Sequence, residues 1–374
     1  MEIDMSGSTE QGFQTLTQPN GIEDESGTAW NVQLTRLLRN TDRYAWGNWT
    51  LDPTIRVGAL GWFNPTDNQF QWTQKDIEVP SGLVTSSSDW HLEQGDVKQS
   101  SVGVKFDVPY FDPTTGTTVT VGVQSSWDFG TKGSLMSSGS AFGVEYVEDP
   151  ASVMLARYDE ILEIARKYNK AHGDKIDQGF GMITRVWLTD GCVNVGSRED
   201  NSEFSIVGSV DGVSAMTGSD QSASLKGSYK NTTSTNNVEK RVFPSKANEV
   251  ESKPVAYAYE FTSFAGRVII PRWVGEIPYL NLWLDNGGSY IVHATVTYDL
   301  GKERKEHKVR VSGGLDGQIT GIPLEATNFD IRMDFTAGDT QFLRVDHPLN
   351  TWELGRGHIK LTGWWPGRTG AAWV

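Results

Sequence analysis

The chain is poor in the residues that most quickly reveal a catalytic or metal-binding role. One cysteine in 374 residues, Cys192, excludes an internal disulfide framework and any paired-cysteine zinc site. The six histidines never recur at metal-ligand spacing, and no GxSxG, HExxH or phosphate-loop motif is present, so neither a metal nor another cofactor is expected. Basic charge is scarce: 33 Lys and Arg against 47 Asp and Glu leave a net charge of −14, without the basic footprint that nucleic-acid binding needs. Long apolar runs are also missing, since no window approaches the roughly 18 residues of a membrane helix. The first residues, MEIDMSGSTEQG, show neither a basic n-region nor an apolar h-region. The expectation is a soluble monomer without a Sec-type signal, cytoplasmic or exported by a non-classical route. An enzyme is not expected, although a glycosidase stays open because its paired carboxylates can lie far apart in sequence.

What is present is globular. With 37% hydrophobic and 21% charged residues, the chain has ordinary composition and room for two domains. Charge is uneven: from Gly275 onward there are 10 Lys and Arg against 12 Asp and Glu, so nearly all the negative charge lies earlier. Met1 to Thr28 reads as a polar leader. Ala29 to Arg39 is spaced as a short amphipathic helix with Trp30, Leu34, Leu37 and Leu38 on one side. Tyr44 to Trp90 is rich in Trp and broken by Pro53, Pro65 and Pro80, as in meandering strands. Between Ser101 and Val147 three runs alternate: Val102, Val104, Phe106, Val108 and Tyr110; Val119, Val121 and Val123; Phe142, Val144 and Tyr146. Asp149-Pro150 predicts a helix start, with the helix running to about Ala171 on a stripe of Met154, Tyr158, Ile161, Leu162, Ala165 and Tyr168. Gly181 to Tyr229 is a second small-residue segment in which Phe204 and Ile206, then Ala223 and Leu225, alternate with polar residues. Val255 to Phe264 is a strand, and Pro271 to Pro278 reads as a junction, dividing the chain into domains 1–270 and 275–374.

The C-terminal part carries two dense runs, LWLDNGGSYIVHATVTYD and IPLEATNFDIRMDF. Tyr290, Val292, Ala294, Val296 and Tyr298 share one face, and Phe329, Ile331, Met333 and Phe335 share another, which is the period of half-buried strands. The Asp285-Asn286-Gly287-Gly288 cluster is expected to supply the positive φ angles of a tight turn. These runs resemble the C-terminal membrane-binding β-sandwich, the fourth domain, of the cholesterol-dependent cytolysins. Two features of that family are altered. The place of its tryptophan-rich eleven-residue loop reads FTAGDTQFLRVDHPLNTWELG, and the place of its Thr-Leu sterol contact reads LTGWWPG, so sterol specificity does not carry over. Trp364 and Trp365, beside Pro366 and Gly367, instead suggest an aromatic tip at headgroup level, with a core position in the last strand as the alternative.

The earlier part, through GMITRVWLTDGCVNVGS and PVAYAYEF, resembles the pore-forming domain of gasdermins and, more loosely, the membrane-attack-complex and cytolysin core. These resemblances imply an α+β fold, a twisted antiparallel sheet with flanking helices followed by an all-β sandwich. They imply a pore-forming protein that binds a target bilayer or surface receptor, forms a homo-oligomer on it and inserts hairpins as a transmembrane barrel. Ser101 to Val147 and Gly181 to Tyr229 each have room for two barrel strands; ordinary half-solvated strands alternate in the same way. Cys192, placed at a turn of the second hairpin, matches a hairpin cysteine that some gasdermins use for regulation, or is a small buried hydrophobe. A lectin or lipid-binding module that never inserts is the competing expectation.

Overall fold

The computed structural model describes residues 28–64, 68–112, 117–208, 229–235, 237–244, 253–345 and 348–374; over residues 87, 100–112, 117–123, 229–231 and 350–351 it describes the backbone alone. The described chain is mostly strand, with helices at Thr28–Leu38, Pro150–Ala156, Tyr158–Lys167 and Pro348–Thr351. It is therefore β-rich, as the expected sheets and sandwich require, while its few short helices do not clearly make it the expected α+β class. No helix among the described residues is long and apolar enough to cross a membrane. The chain divides into two compact units, Met1–Arg157 with Gly179–Thr262, and Tyr158–Gln178 with Ser263–Val374. Residues 158–178 and 263–270, assigned to the first domain in the sequence reading, thus group with the second unit.

The first unit is organised on Phe180–Ser197, an 18-residue strand that pairs with Leu135–Val147 over most of its length, with Ala59–Phe63 at its start and with Val238–Phe243 at its end. Ser81–Gln94 pairs with Leu135–Val147 on the far side. A second, four-stranded antiparallel sheet runs in the order Tyr229–Ser234, Ser202–Gly208, Thr117–Phe129, Val97–Asp112. It packs on the central sheet through Trp127, Phe129, Phe204 and Ile206, which meet Met136, Val193 and Val195. The opposite face receives the Thr28–Leu38 helix through Trp30, Leu34 and Leu38, as its apolar spacing requires. A Cβ on Gly196 would lie 2.7 Å from the Trp30 ring, so only glycine lets the helix come this close.

The expected long helix after Asp149 is two helices. Asp149 caps the first, accepting from the Ser152 amide at 3.1 Å, and Arg157 leaves helical geometry at φ −109°, ψ 15°. The second ends at Lys167, four residues short of Ala171, where Asn169 turns the chain at φ 56°.

The second unit contains a sandwich of two four-stranded sheets. One runs Asp316–Ile322, Leu280–Asn286, Arg356–Gly363, Thr369–Trp373; the other runs Glu303–Val311, Val292–Leu300, Thr327–Phe335, Thr340–Val345. Leu280, Leu282, Leu284, Ile359 and Leu361 on one inner face and Val292, Ala294, Val296, Phe329, Ile331 and Met333 on the other are all at most 1% exposed. Alternation puts every second residue into this layer and leaves the rest to water.

Candidate functional site

Four turns gather at one pole of the sandwich, because the strands around them end or begin there: 287–291, 312–315, 336–339 and 364–368. Three of the large apolar side chains on these turns are exposed, Trp364 at 72%, Trp365 at 62% and Leu315 at 61%. The Trp pair is thus not in the core of the last strand. It sits on the turn between Arg356–Gly363 and Thr369–Trp373, which contains a cis Trp365-Pro366 bond.

The turn is held from beneath. The Trp365 amide donates to Ser289 Oγ at 2.9 Å. The Tyr290 hydroxyl donates to the Gly367 carbonyl at 2.7 Å and accepts from the Gly367 amide at 3.1 Å. The Tyr290 ring, only 4% exposed, stands edge-on to Trp365 at 6.0 Å and to Phe335 at 5.9 Å. Asn286, 1% exposed, ties two of the turns together: its amide nitrogen donates to the Tyr290 carbonyl at 2.8 Å and its side-chain oxygen accepts from the Gly288 amide at 3.2 Å. Its backbone joins the 312–315 turn, donating to the Leu315 carbonyl and accepting from the Gly314 amide. A buried amide with these partners fixes one arrangement of the turns. The aromatic rings therefore stand on a rigid base, exposed at little entropic cost on binding.

The glycines of this pole act differently from expectation. Gly287 and Gly288 do not have positive φ; a Cβ on Gly288 would instead lie 2.5 Å from the Gly363 carbonyl. The cluster serves close approach of two turns, and the positive φ angles at this pole belong to Gly314, Ala337 and Gly363. In the region that differs from the cytolysin loop, Trp352 is a core residue at 3% exposure, edge-on to Phe329 at 5.7 Å.

The other residues singled out from the sequence lie in the first unit. Register places Val104 opposite Val123, Phe106 opposite Val121, Val119 opposite Tyr110 and Val102 opposite Ser125 on neighbouring strands. Phe204 and Ile206, 1% and 0% exposed, are buried between the two sheets. Ala223 and Leu225 lie outside the described residues. Cys192 is not at a turn: it is fully buried within the long strand, flanked by Gly139 and Phe243, and burial raises its thiol pKa. The likeness to a modifiable hairpin cysteine gains nothing from this buried mid-strand position, which suits the alternative of a small buried hydrophobe. What suggested a turn was Gly191, which belongs to a bulge in the ladder with Leu135–Val147.

No protein-family model matches the chain, and no curated protein does. Solved structures that align with it include a non-hemolytic pneumolysin from Streptococcus pneumoniae, 8% identical with a TM-score of 0.22 over 88% of this chain and 87% of that one. Suilysin from Streptococcus suis aligns at 10% identity and a TM-score of 0.19, over 75% and 69%. The human-specific toxin intermedilysin aligns at 8% and 0.19, over 88% and 87%. TM-scores of this size do not establish a shared fold. These neighbours are cytolysins, and the likeness to gasdermins gains no support from them.

Proposed function

We propose that the protein is a pore-forming protein that attaches to a target membrane through the Trp364–Trp365 tip, assembles with further copies of itself and inserts strands of the first unit as a β-barrel. The observation that carries the reading is the pair of adjacent, exposed tryptophans on a hydrogen-bonded turn. Indole rings favour the headgroup level, where the ring leaves water and the N–H stays hydrated. Burying two of them contributes about 3–6 kcal/mol, at roughly 1.5–3 each. Micromolar binding needs about 8 kcal/mol, so single molecules attach weakly and assemblies tightly. Val97–Asp112 and Thr117–Phe129, at 16 and 13 residues, exceed the roughly 9–11 that a barrel strand needs. Their sequence alternation supplies the required lipid and lumen faces.

The test is dye release from liposomes of eukaryotic and bacterial lipid extracts, with electron microscopy of the same mixtures. Release that climbs steeply with protein concentration, together with ring-shaped assemblies, is expected. Replacing both Trp364→Ala and Trp365→Ala should weaken attachment at least tenfold while the melting temperature stays within about 2 °C, since neither ring is in the core. Attachment without release or rings would remove insertion and leave a surface-binding protein.

A further inference from the structure

The first unit holds a cavity of about 810 Å³ that the membrane reading does not use. It lies where the central strand Phe180–Ser197 changes partners. Val238–Phe243 ends opposite Cys192, Val255–Ala265 begins, and the ladder with Leu135–Val147 is broken by the bulge at Leu188–Gly191. Phe142 is the residue displaced by that break. On one side register passes from Gly143 opposite Leu188 to Ala141 opposite Thr189, and on the other from Gly143 opposite Thr85 to Ala141 opposite Ser88. Skipped by both neighbouring strands, Phe142 lines the cavity together with Leu51, Leu188, Val242 and Phe243. Of these five side chains only Leu51 is buried, and Leu83, also in the lining, is 52% exposed. The bulge thus leaves an apolar wall without a cover.

The charged groups of the lining are Arg56, Arg241, Lys253 and Glu145, a positive excess in a chain whose net charge is −14. Three of them are engaged. Arg56 binds Asp76 at 2.6 Å, Arg241 binds Glu239 at 3.0 Å, and Glu145 accepts from Ser81 Oγ at 2.8 Å. Lys253 is exposed and, among the described residues, makes no hydrogen bond or ion pair. We propose that the cavity binds a single-chain fatty acid, with its hydrocarbon against Phe142, Leu188 and Phe243 and its carboxylate at Lys253. Apolar clefts of roughly 300–1,000 Å³ with a few polar groups are of the size that encloses a small ligand. Area removed from water supplies the affinity and one ammonium the orientation. The several charges of a nucleotide find only one uncommitted cation, and the hydroxyls of a sugar would lie unbonded against these walls. The site is separate from the Trp364–Trp365 tip and does not depend on insertion.

The full chain, with no membrane present, is titrated with octanoate, decanoate, laurate and myristate below their micelle concentrations. Calorimetry gives the affinity and side-chain methyl resonances the location. Laurate should bind in the micromolar range, and each pair of added methylenes should tighten binding about tenfold until the cavity is full. The methyl signals of Leu51, Leu188 and Val242 should move while those of Leu282 and Leu284 in the sandwich core stay. Val242→Trp, which fills the cavity, should abolish binding. Lys253→Glu, at an exposed position, should weaken laurate severalfold and leave its methyl ester unchanged, and it decides the matter if Val242→Trp does not fold. No binding by any of the four acids overturns the proposal, as does affinity indifferent to chain length. Shifts confined to the indole signals of Trp364 and Trp365 would place the acid on the tip, and cavity signals that move with protein concentration alone would assign the cavity to a second copy of the chain. Either result ends the proposal.

Discussion

The two units are both antiparallel sheet, yet their interiors are filled by different means. In the sandwich the central strands alternate cleanly, and their inward positions are apolar except Asn286 at the end of its strand. In the first unit Leu135–Val147 is buried at seven successive residues, because the Thr28–Leu38 helix covers one face and the second sheet covers the other. Much of what it buries is polar and small: Ser137, Ser138 and Ser140, with Thr189 and Asn194 on the next strand. These groups hold the sheet by bonds across it. Ser138 Oγ donates to the Trp90 carbonyl at 3.1 Å, Thr189 Oγ1 to the Ser140 carbonyl at 2.7 Å, and Asn194 Nδ2 to the Trp49 carbonyl at 2.9 Å. Both are stabilised by area removed from water; the central sheet adds close approach and buried polar groups bonded across it.

The contrast is tested first by deleting one anchor of each kind. Phe329→Ala, at a position fully buried between Tyr298 and Trp352, should destabilise the second unit by about 3–5 kcal/mol. Ser138→Ala removes one donor from the central sheet and should cost only about 1–1.5 kcal/mol. Urea denaturation followed separately in the two units gives both values. Equal losses would mean that the central sheet depends on packing as tightly as the sandwich does.

The same contrast explains how much the sequence could tell. Where one face is wet, period two is visible: Tyr290 to Tyr298 and Phe329 to Phe335 are buried at the expected positions. The Thr28–Leu38 helix was equally visible, since one of its sides faces water. Where both faces are covered the period disappears. Phe142, Val144 and Tyr146 announced only the wetter end of Leu135–Val147, and Gly191 made the middle of an 18-residue strand look like a turn. At the tip, Trp364 and Trp365 beside Pro and Gly were legible as an exposed pair. Their support from Ser289, Tyr290 and Asn286 was not, because those residues are remote in sequence and looked like ordinary strand and turn positions.

A smaller effect is expected at the bulge of the central sheet. Asp190 lies between Thr189 and Gly191 without a cross-strand partner, and its Oδ1 is buried without a hydrogen bond. Burial pushes its carboxyl pKa up to about 7, from 3.8. The folded state then keeps a proton that the unfolded state releases, so this residue makes stability fall as pH rises from about 4 to 7 and leaves it flat above. Asp190→Asn should remove that slope. At pH 8 the variant should be more stable by about 1–2 kcal/mol, a figure discounted for partial exposure, and near pH 4 the two proteins should match. Thermal melts across this range decide it; a gain that is independent of pH would assign the effect to packing at the bulge.

The smallest effect separates the two outer faces of the sandwich. Arg304 draws together Asp299, Asp330, Thr297 and the Asn328 carbonyl, and the Asp299 carboxyl is held below its ordinary pKa by Asn328 and Arg304. These groups are exposed, so water and salt weaken the network, and Arg304→Ala should lower the melting temperature by only about 1–2 °C. The sign follows from the lowered pKa: the stabilisation is present above the ordinary carboxylate range and disappears as acid protonates Asp299, so wild type and variant should converge at low pH. One molar salt should bring them together at neutral pH as well, because the Debye length falls to about 3 Å. Lys360→Ala on the opposite face has no ion pair to remove and should leave the melting temperature unchanged at every pH and salt concentration. A salt-sensitive loss at Lys360 would show that its face is internally paired in solution.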